Sequence, residues 1–487
     1  MTVRDDSGPA LYQRIGLFAG PIIALAVAFG FSPEGLPREA SVVAAVGLLM
    51  AIWWATEAIP VAATAFAPIV ILPLAGVASI AEAAGPYANP IIYLFLGGFV
   101  IALAIERCGL HRRIAFSIFA VIGADARFIV AGFMVAAAFV SMWISNSSTT
   151  LMLLPIAVSV VTVISETMPE LDARERRNFG ACLLLGLAYA ATIGGLSTLV
   201  GTPPNAFLAG FMQETYGVEM GFARWMMVGL PVALCLLPIA WVMLVRVIFP
   251  VGFRASGAAM THIHELRGNL GKMSKAEVRT TLLFLALVLS WVLREPIQAV
   301  TGLTGLTDAG VAMAAAMAAF LIPSGKANRA LVVWEDMSRL PWGVLILFGG
   351  GLALASAVAS SGLALWIGQQ LSPLGAVNIV LLIIAATAMV IFLTELTSNL
   401  GTAATFLPVI AAIAVETGQD PLVFVIPVTL AASCAFMLPV ATPPNALAHA
   451  TGRIRARDFL ALGLVCGLLA PPLTAAWTSL VAPLVLE

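Results

Sequence analysis

Charge is what this chain most lacks. Only 10% of its 487 residues are Asp, Glu, Lys or Arg, and 24 basic against 25 acidic side chains leave a net charge of −1. With a mean hydropathy of +1.03, that composition excludes a soluble or disordered chain and leaves a polytopic, all-α membrane protein in contact with the lipid bilayer. Basic residues neither cluster nor outnumber acidic ones, so no nucleic-acid partner is expected. Paired cysteines are lacking too. Cys108, Cys182, Cys235, Cys434 and Cys466 stand singly in apolar runs, which suits small buried side chains rather than a disulfide or metal framework. The four histidines are not spaced as metal ligands, and no nucleophile–base set lies at membrane depth; an intramembrane enzyme is disfavoured on that ground. Met1 to Arg14 is short and polar without a small-residue cleavage site, so no cleaved leader is expected.

What is present is a series of apolar runs, each near the ~20 residues that cross a bilayer. They fall at about 14–32, 41–58, 60–77, 88–107, 179–200 and 226–249, and, after the polar connector Arg254–Arg279, at about 280–294, 308–323, 341–357, 421–440 and 459–485. Two longer stretches, about 128–165 and 374–415, are interrupted midway.

The interruptions carry the chemistry. Ser145-Asn146-Ser147-Ser148-Thr149-Thr150 is a polar island, and the pattern returns as Thr397-Ser398-Asn399-Leu400-Gly401-Thr402. Each has a companion downstream, Gly201-Thr202-Pro203-Pro204-Asn205 and Ala441-Thr442-Pro443-Pro444-Asn445. The Ser-Asn pairs are offset by 253 (398 − 145), the Thr-Pro-Pro-Asn runs by 240 (442 − 202) and the Gly97/Gly349 pairs by 252 (349 − 97). Three landmarks in order make a repeat, and an odd number of spans between the copies makes it an inverted one. Polar residues in membrane helices often only glue helices together; two symmetric sets with matched companions argue against that reading.

Charge also orients the chain. With the N-terminus in the cytoplasm and both interrupted stretches folded as hairpins returning to their own side, only Arg38, Arg224 and Arg294 of the 24 Lys and Arg fall outside, as the positive-inside rule asks. The expectation is about eleven spans plus two opposed re-entrant hairpins, with the C-terminus outside.

Neutral Ser, Thr and Asn oxygens with unwound carbonyls suit a hard monovalent cation such as Na⁺. Thr-Pro-Pro-Asn cannot continue a helix, so each copy should end one half-helix and begin another, whose free N–H groups attract an anion. No Lys or Arg lies between Arg127 and Arg174, or between Arg339 and Arg453. A buried anion there has no basic partner, and bound cations are its simplest neutralisers. Cation-coupled anion transport is therefore preferred to a channel lined by basic residues. Glu57 and Glu395 are the acids nearest membrane depth; Glu395 is read as a hydrogen-bonding support of the second hairpin in preference to a proton relay. His449 is read as a packing residue, and Glu106-Arg107 with His111-Arg112-Arg113 as an interfacial anchor.

Trp143–Pro155, Thr394–Pro408, Gly201–Asn205, Ala441–Asn445 and Thr56-Glu57-Ala58-Ile59-Pro60 together resemble the divalent anion–sodium symporter family, over nearly the whole chain. The resemblance implies an elevator-type transporter in the cell's inner (plasma) membrane, a homodimer through scaffold helices. It implies scaffold at 1–126 and 280–372, transport elements at 127–249 and 373–487, and a cytoplasmic connector at 250–279. It implies Na⁺ as the coupling ion, two or more per cycle. One ion would be held by Ser141, Ser145, Asn146 and the Gly201 carbonyl, another by Thr394, Thr397, Asn399 and the Ala441 carbonyl. A dicarboxylate would meet Asn146, Ser147, Thr202, Ser398, Asn399, Thr442 and Pro443. Ser147 and Leu400 depart from residues that are commonly Thr in the family, and the lost hydroxyl at Leu400 bears on substrate choice. The function implied is Na⁺-coupled symport of C4 dicarboxylates (succinate, malate, fumarate). The alternatives are a cation-independent dicarboxylate exchanger or a sulfate or citrate carrier of the same fold.

Overall fold

A computed structural model describes residues 10–119, 123–268, 270–325, 329–371 and 378–486. Arg4 and Lys326 of the charge count lie outside them, as do the side chains of His262, His264 and Arg267. Among the described residues the chain is helical, with two isolated β-bridges, Asp125 to Arg254 and Pro323 to Ala330, and no strand. Each apolar run read from the sequence contains helix, although the runs at about 179–200 and 421–440 lose it after Gly195 and Ala432. Among the described residues nine helices are long and apolar enough to cross a membrane, and the pair Lys275–Val292 and Arg294–Thr301, bent by 76°, makes a tenth candidate span. Three expected spans come out short: Val61–Leu74, Asp308–Leu321 and Pro421–Ala432. Local breakers explain each. Pro60 starts the first and Pro73 sits in its last turn; Pro323 closely follows the second; the third stops where the second Thr-Pro-Pro-Asn break begins.

Both interrupted stretches fold as helix–turn–helix. Ala126–Ser141 and Asn146–Thr167 meet at residues 142–145, and Ile379–Thr394 and Asn399–Glu416 meet at residues 395–398. A serine starts each second arm: Ser145 Oγ accepts from Ser148 N at 3.2 Å and Ser398 Oγ from Gly401 N at 3.5 Å, the side-chain N-cap that short hydroxyls provide. Each Thr-Pro-Pro-Asn run likewise opens a helix, Pro203–Tyr216 and Pro443–Ala450, with proline at the first position, where its missing N–H costs nothing. The preceding helices, Ala173–Gly195 and Pro421–Ala432, end well before the prolines, so the breaks are longer than the prolines alone require.

Close helix contact sets the rest. A Cβ at Gly97 would lie 2.6 Å from the Ala312 backbone, so helix Pro90–Cys108 meets Asp308–Leu321 at a distance that admits only glycine; in membranes such small-residue seams replace the hydrophobic drive of water.

Ion pairs respect the charge-derived grouping of segments. Arg107–Asp336 (2.7 Å), Arg113–Glu277 (2.7 Å), Arg177–Asp458 (2.8 Å) and Arg339–Glu106 (3.1 Å) each join residues assigned to one side. Two of the three exceptions, Arg224 and Arg294, pair instead with Glu295 and with Glu219 and Asp308.

Candidate functional site

The first hairpin tip docks on the first break. Ser141, fully buried, donates to Asn146 Oδ1 at 2.6 Å. Asn146 lies against Gly195, where an added Cβ would stand 2.6 Å from Asn146 Oδ1 and 3.1 Å from the Gly201 carbonyl oxygen. The Asn146 amide oxygen of the tip and the Gly201 carbonyl oxygen of the break thus converge beside Gly195, where a methyl group does not fit. Thr198 Oγ1 fastens the break to the tip by donating to the Met142 carbonyl at 2.6 Å.

The second tip repeats the arrangement. Thr394, also fully buried, reaches Asn399 Oδ1 at 2.9 Å and the Ala432 carbonyl at 2.8 Å; its single proton serves one acceptor at a time. Thr397 bonds the Leu393 carbonyl and the Thr402 hydroxyl. The tie between tip and break differs from the first. Met142 plus 253 is Glu395, and Thr198 plus 240 is Leu438, which has no hydroxyl to give. Instead the Glu395 carboxylate accepts from the backbone N–H groups of Phe436 (2.7 Å), Met437 (2.8 Å) and Leu438 (2.9 Å). All of Glu395's observed partners are backbone donors of the break, which fits the supporting role read from the sequence.

Two asparagines whose roles the sequence did not show hold the breaks open. Asn205 Nδ2 donates to the carbonyls of Gly195 (3.1 Å), Leu196 (3.3 Å) and Thr198 (2.8 Å), and Asn445 Nδ2 to those of Ala435 (3.4 Å) and Leu438 (3.1 Å). The partners fall ten and seven residues upstream in both copies. Both asparagines are fully buried, and among the described residues neither Oδ1 has a partner. Two symmetric orphan acceptors beside unwound backbone are what an oxygen-seeking cation or an ordered water would satisfy. Their sequence signal is the asparagine that closes each Thr-Pro-Pro-Asn motif.

The other residues read from the sequence fall as follows. Ser145, Ser147, Ser398, Asn399 and Ala441 are half-buried, Thr202 and Thr442 are buried N-caps, and Pro443 is exposed at the start of its helix. Thr442 Oγ1 accepts from Asn445 N. Leu400 is 3% exposed and belongs to the core. The two halves interlock through Tyr189, whose hydroxyl lies 2.7 Å from the Phe436 carbonyl and 3.1 Å from that of Phe459. A lone tyrosine in an apolar run gives no sequence signal of this.

A donor set of hydroxyl, carboxamide and carbonyl oxygens, with no basic side chain on either tip or break, fits Na⁺. Comparison with known proteins points the same way. A family model described as "Sodium:sulfate symporter transmembrane region" matches residues 13–482. The chain is 40% identical over 479 residues to the sodium-dependent dicarboxylate transporter SdcS of Staphylococcus aureus (strain USA300), covering 97% of this chain and 92% of that protein. It is 38% identical over 465 residues to SdcS of Staphylococcus saprophyticus, covering 94% and 89%. In fold it resembles the YdaH transporter of Alcanivorax borkumensis (TM-score 0.56, 14% identity, 89% and 98% covered). The Neisseria gonorrhoeae MtrF structure, described with a class of antimetabolite efflux pumps, is equally near (TM-score 0.56, 14% identity, 94% and 96% covered).

Proposed function

The chain belongs to the sodium:sulfate symporter family, a family of transporters and not of enzymes, and on that premise we propose that it imports dicarboxylates with Na⁺. The relatives' names support the ion and the substrate class. The observation that carries the reading is the pair of hairpin tips, each with a buried hydroxyl donating to an asparagine oxygen beside unwound backbone. One cation sits against Ser141, Ser145, Asn146 and the Gly201 carbonyl, and a second against Thr394, Thr397, Asn399 and the Ala441 carbonyl. The dianion then meets Asn146, Ser147, Ser398 and Asn399, with Thr202, Thr442 and Pro443 beside them.

The order of binding follows from electrostatics. A dianion between neutral tips pays its full desolvation cost, whereas two Na⁺ balance its charge. Cation loading orders both tips, so the anion binds only a loaded site. Four-carbon dicarboxylates (succinate, malate, fumarate) are the substrates, carried across the inner membrane as the hairpin-bearing halves slide against scaffold helices that pair two copies of the chain. The N-terminus is cytoplasmic and the C-terminus outside. Asn146→Ala and Asn399→Ala should each abolish succinate uptake while the protein still purifies as a folded species. Uptake by either variant at the parent rate would refute this site.

A further inference from the structure

Along their helices, the parts read as scaffold and as transport elements meet through glycine and apolar side chains. A Cβ at Gly210 would lie 2.8 Å from Ile91 Cγ2, one at Gly351 2.7 Å from Phe207 Cε2, and one at Gly98 3.2 Å from Val200 Cγ1. Contact of that kind is close but carries no directional bond. Side-chain bonds between the two parts gather elsewhere. Asp308 Oδ2 accepts from the backbone N–H of Phe222, the first residue of Phe222–Val242, at 2.7 Å. Arg294 pairs with Glu219, Arg224 lies 3.7 Å from Glu295, and Asn89 Nδ2 donates to Glu214 at 2.9 Å. In each of these four bridges one partner belongs to 1–126 or 280–372 and the other to 127–249, and the proposed topology puts all of them outside. On its cytoplasmic side, by contrast, Arg107–Asp336 and Arg339–Glu106 stay within the scaffold and Arg177–Asp458 within the transport elements.

The outer bridges are tied to the first hairpin tip. Trp143, in the tip, stacks on Phe222 with ring centroids 6.1 Å apart and meets Phe284 edge-on at 5.0 Å. Phe222 in turn stacks on Trp291 at 4.3 Å, and Trp291 Nε1 donates to the Asp308 carbonyl at 3.0 Å. Trp143 and Phe222 belong to the transport elements, Phe284 and Trp291 to the scaffold, so this buried column of rings crosses between the two parts. Arg294 and Asp308 close it. Their side chains are only 11% and 12% exposed and lie 3.4 Å apart, so each charged bond they make across the boundary is among the stronger kind.

We propose that Asp308 and Arg294 form an outer latch. They hold the transport elements, through Phe222 and Glu219, in a position where the aromatic column covers the first tip from outside, and they release when those elements slide to take up the anion. The proposal rests on the sliding-carrier reading above. Because the apolar contact between the parts has no directional bond of its own, these few bonds weigh one end of the stroke against the other. They set the fraction of carriers that is open outward, and with it the apparent affinity for external substrate.

The test is Na⁺-driven succinate uptake into proteoliposomes with the two parts tied together. Arg224→Cys/Glu295→Cys puts two thiols at an exposed contact whose ion pair is worth little, within reach of a short bifunctional methanethiosulfonate. Cross-linking should stop uptake in proportion to the fraction cross-linked, and dithiothreitol should restore it. The two single-cysteine variants, and the parent with its exposed Cys235, should keep their rates under the same reagent. Glu219→Cys/Arg294→Cys is a second pair and should behave alike. Asp308→Asn keeps the shape of the bond to Phe222 without its charge, and should lower the external succinate KM roughly fivefold by freeing more carriers to open outward. Uptake at the parent rate by fully cross-linked carriers, or an unchanged or raised KM in Asp308→Asn, would overturn the latch while leaving the carrier intact. Absence of Na⁺-driven uptake by the parent protein would overturn both.

Discussion

The Ser141 hydroxyl donates to Asn146 Oδ1 across 2.6 Å, from the last residue of one hairpin arm to the first of the next. Thr394 and Asn399 stand in the same relation in the second hairpin. The bond spans each tip and fixes the asparagine rotamer, and a fixed amide oxygen is what a weakly bound cation needs. Replacing Ser141 or Thr394 by alanine removes about 1 kcal/mol of that constraint. The expected outcome is a severalfold higher Na⁺ half-saturation of uptake, larger than any change in succinate KM at saturating Na⁺. An unchanged Na⁺ dependence in both variants would contradict it.

Gly195 is required by close approach, not by backbone conformation. A methyl group there would press on Asn146 Oδ1, and overpacking of that kind costs about 1–3 kcal/mol. Gly195→Ala should therefore reduce Na⁺-dependent uptake at least tenfold. Gly30→Ala, where nothing lies within 4 Å, is the control and should behave as the parent. The second half carries Ala435 at the corresponding place, so Ala435→Gly should be tolerated.

Glu395 makes three bonds to the second break that no neutral side chain can replace. Glu395→Gln offers one weaker acceptor and turns an N–H₂ group toward backbone donors. We expect a loss of about 2–4 kcal/mol in stability, read as a lower Tm in detergent, with the pH profile of any residual uptake unchanged in shape. A normal Tm together with a flattened pH profile would make Glu395 a proton carrier instead.

Tyr189→Phe removes the hydroxyl shared by the Phe436 and Phe459 carbonyls; the Phe459 carbonyl keeps the N–H of its own helix, but the Phe436 carbonyl in the break loses this donor, at about 1–3 kcal/mol. Thermal unfolding should show the loss directly. If Tm is unmoved, the two halves are not held together at this point.

The hairpins and breaks were legible because polar residues and paired prolines are conspicuous in an apolar chain. Pro203 and Pro443 announce helix starts by local rules alone, whereas the N-caps Ser145 and Ser398 emerge only from the fold. The ties between tip and break were not legible in the same way. Thr198 reaches Met142, and Glu395 reaches Phe436, across dozens of residues, and only the fold brings them together. Nor could the sequence show that the hydroxyl of Thr198 and the carboxylate of Glu395 do the same task from opposite partners. The length of the breaks was underestimated because Gly195 and Ala432 end their helices ahead of the prolines. Leu400, weighed as a lost pocket hydroxyl, lies in the core.

The most direct test is succinate uptake into proteoliposomes, with an inward Na⁺ gradient or with choline in its place, in vesicles either empty or preloaded with dicarboxylate. The account predicts accumulation in empty vesicles that requires Na⁺ and is lost in choline. Uptake that ignores Na⁺ and demands internal dicarboxylate would contradict it and make the two oxygen-lined tips parts of an exchanger.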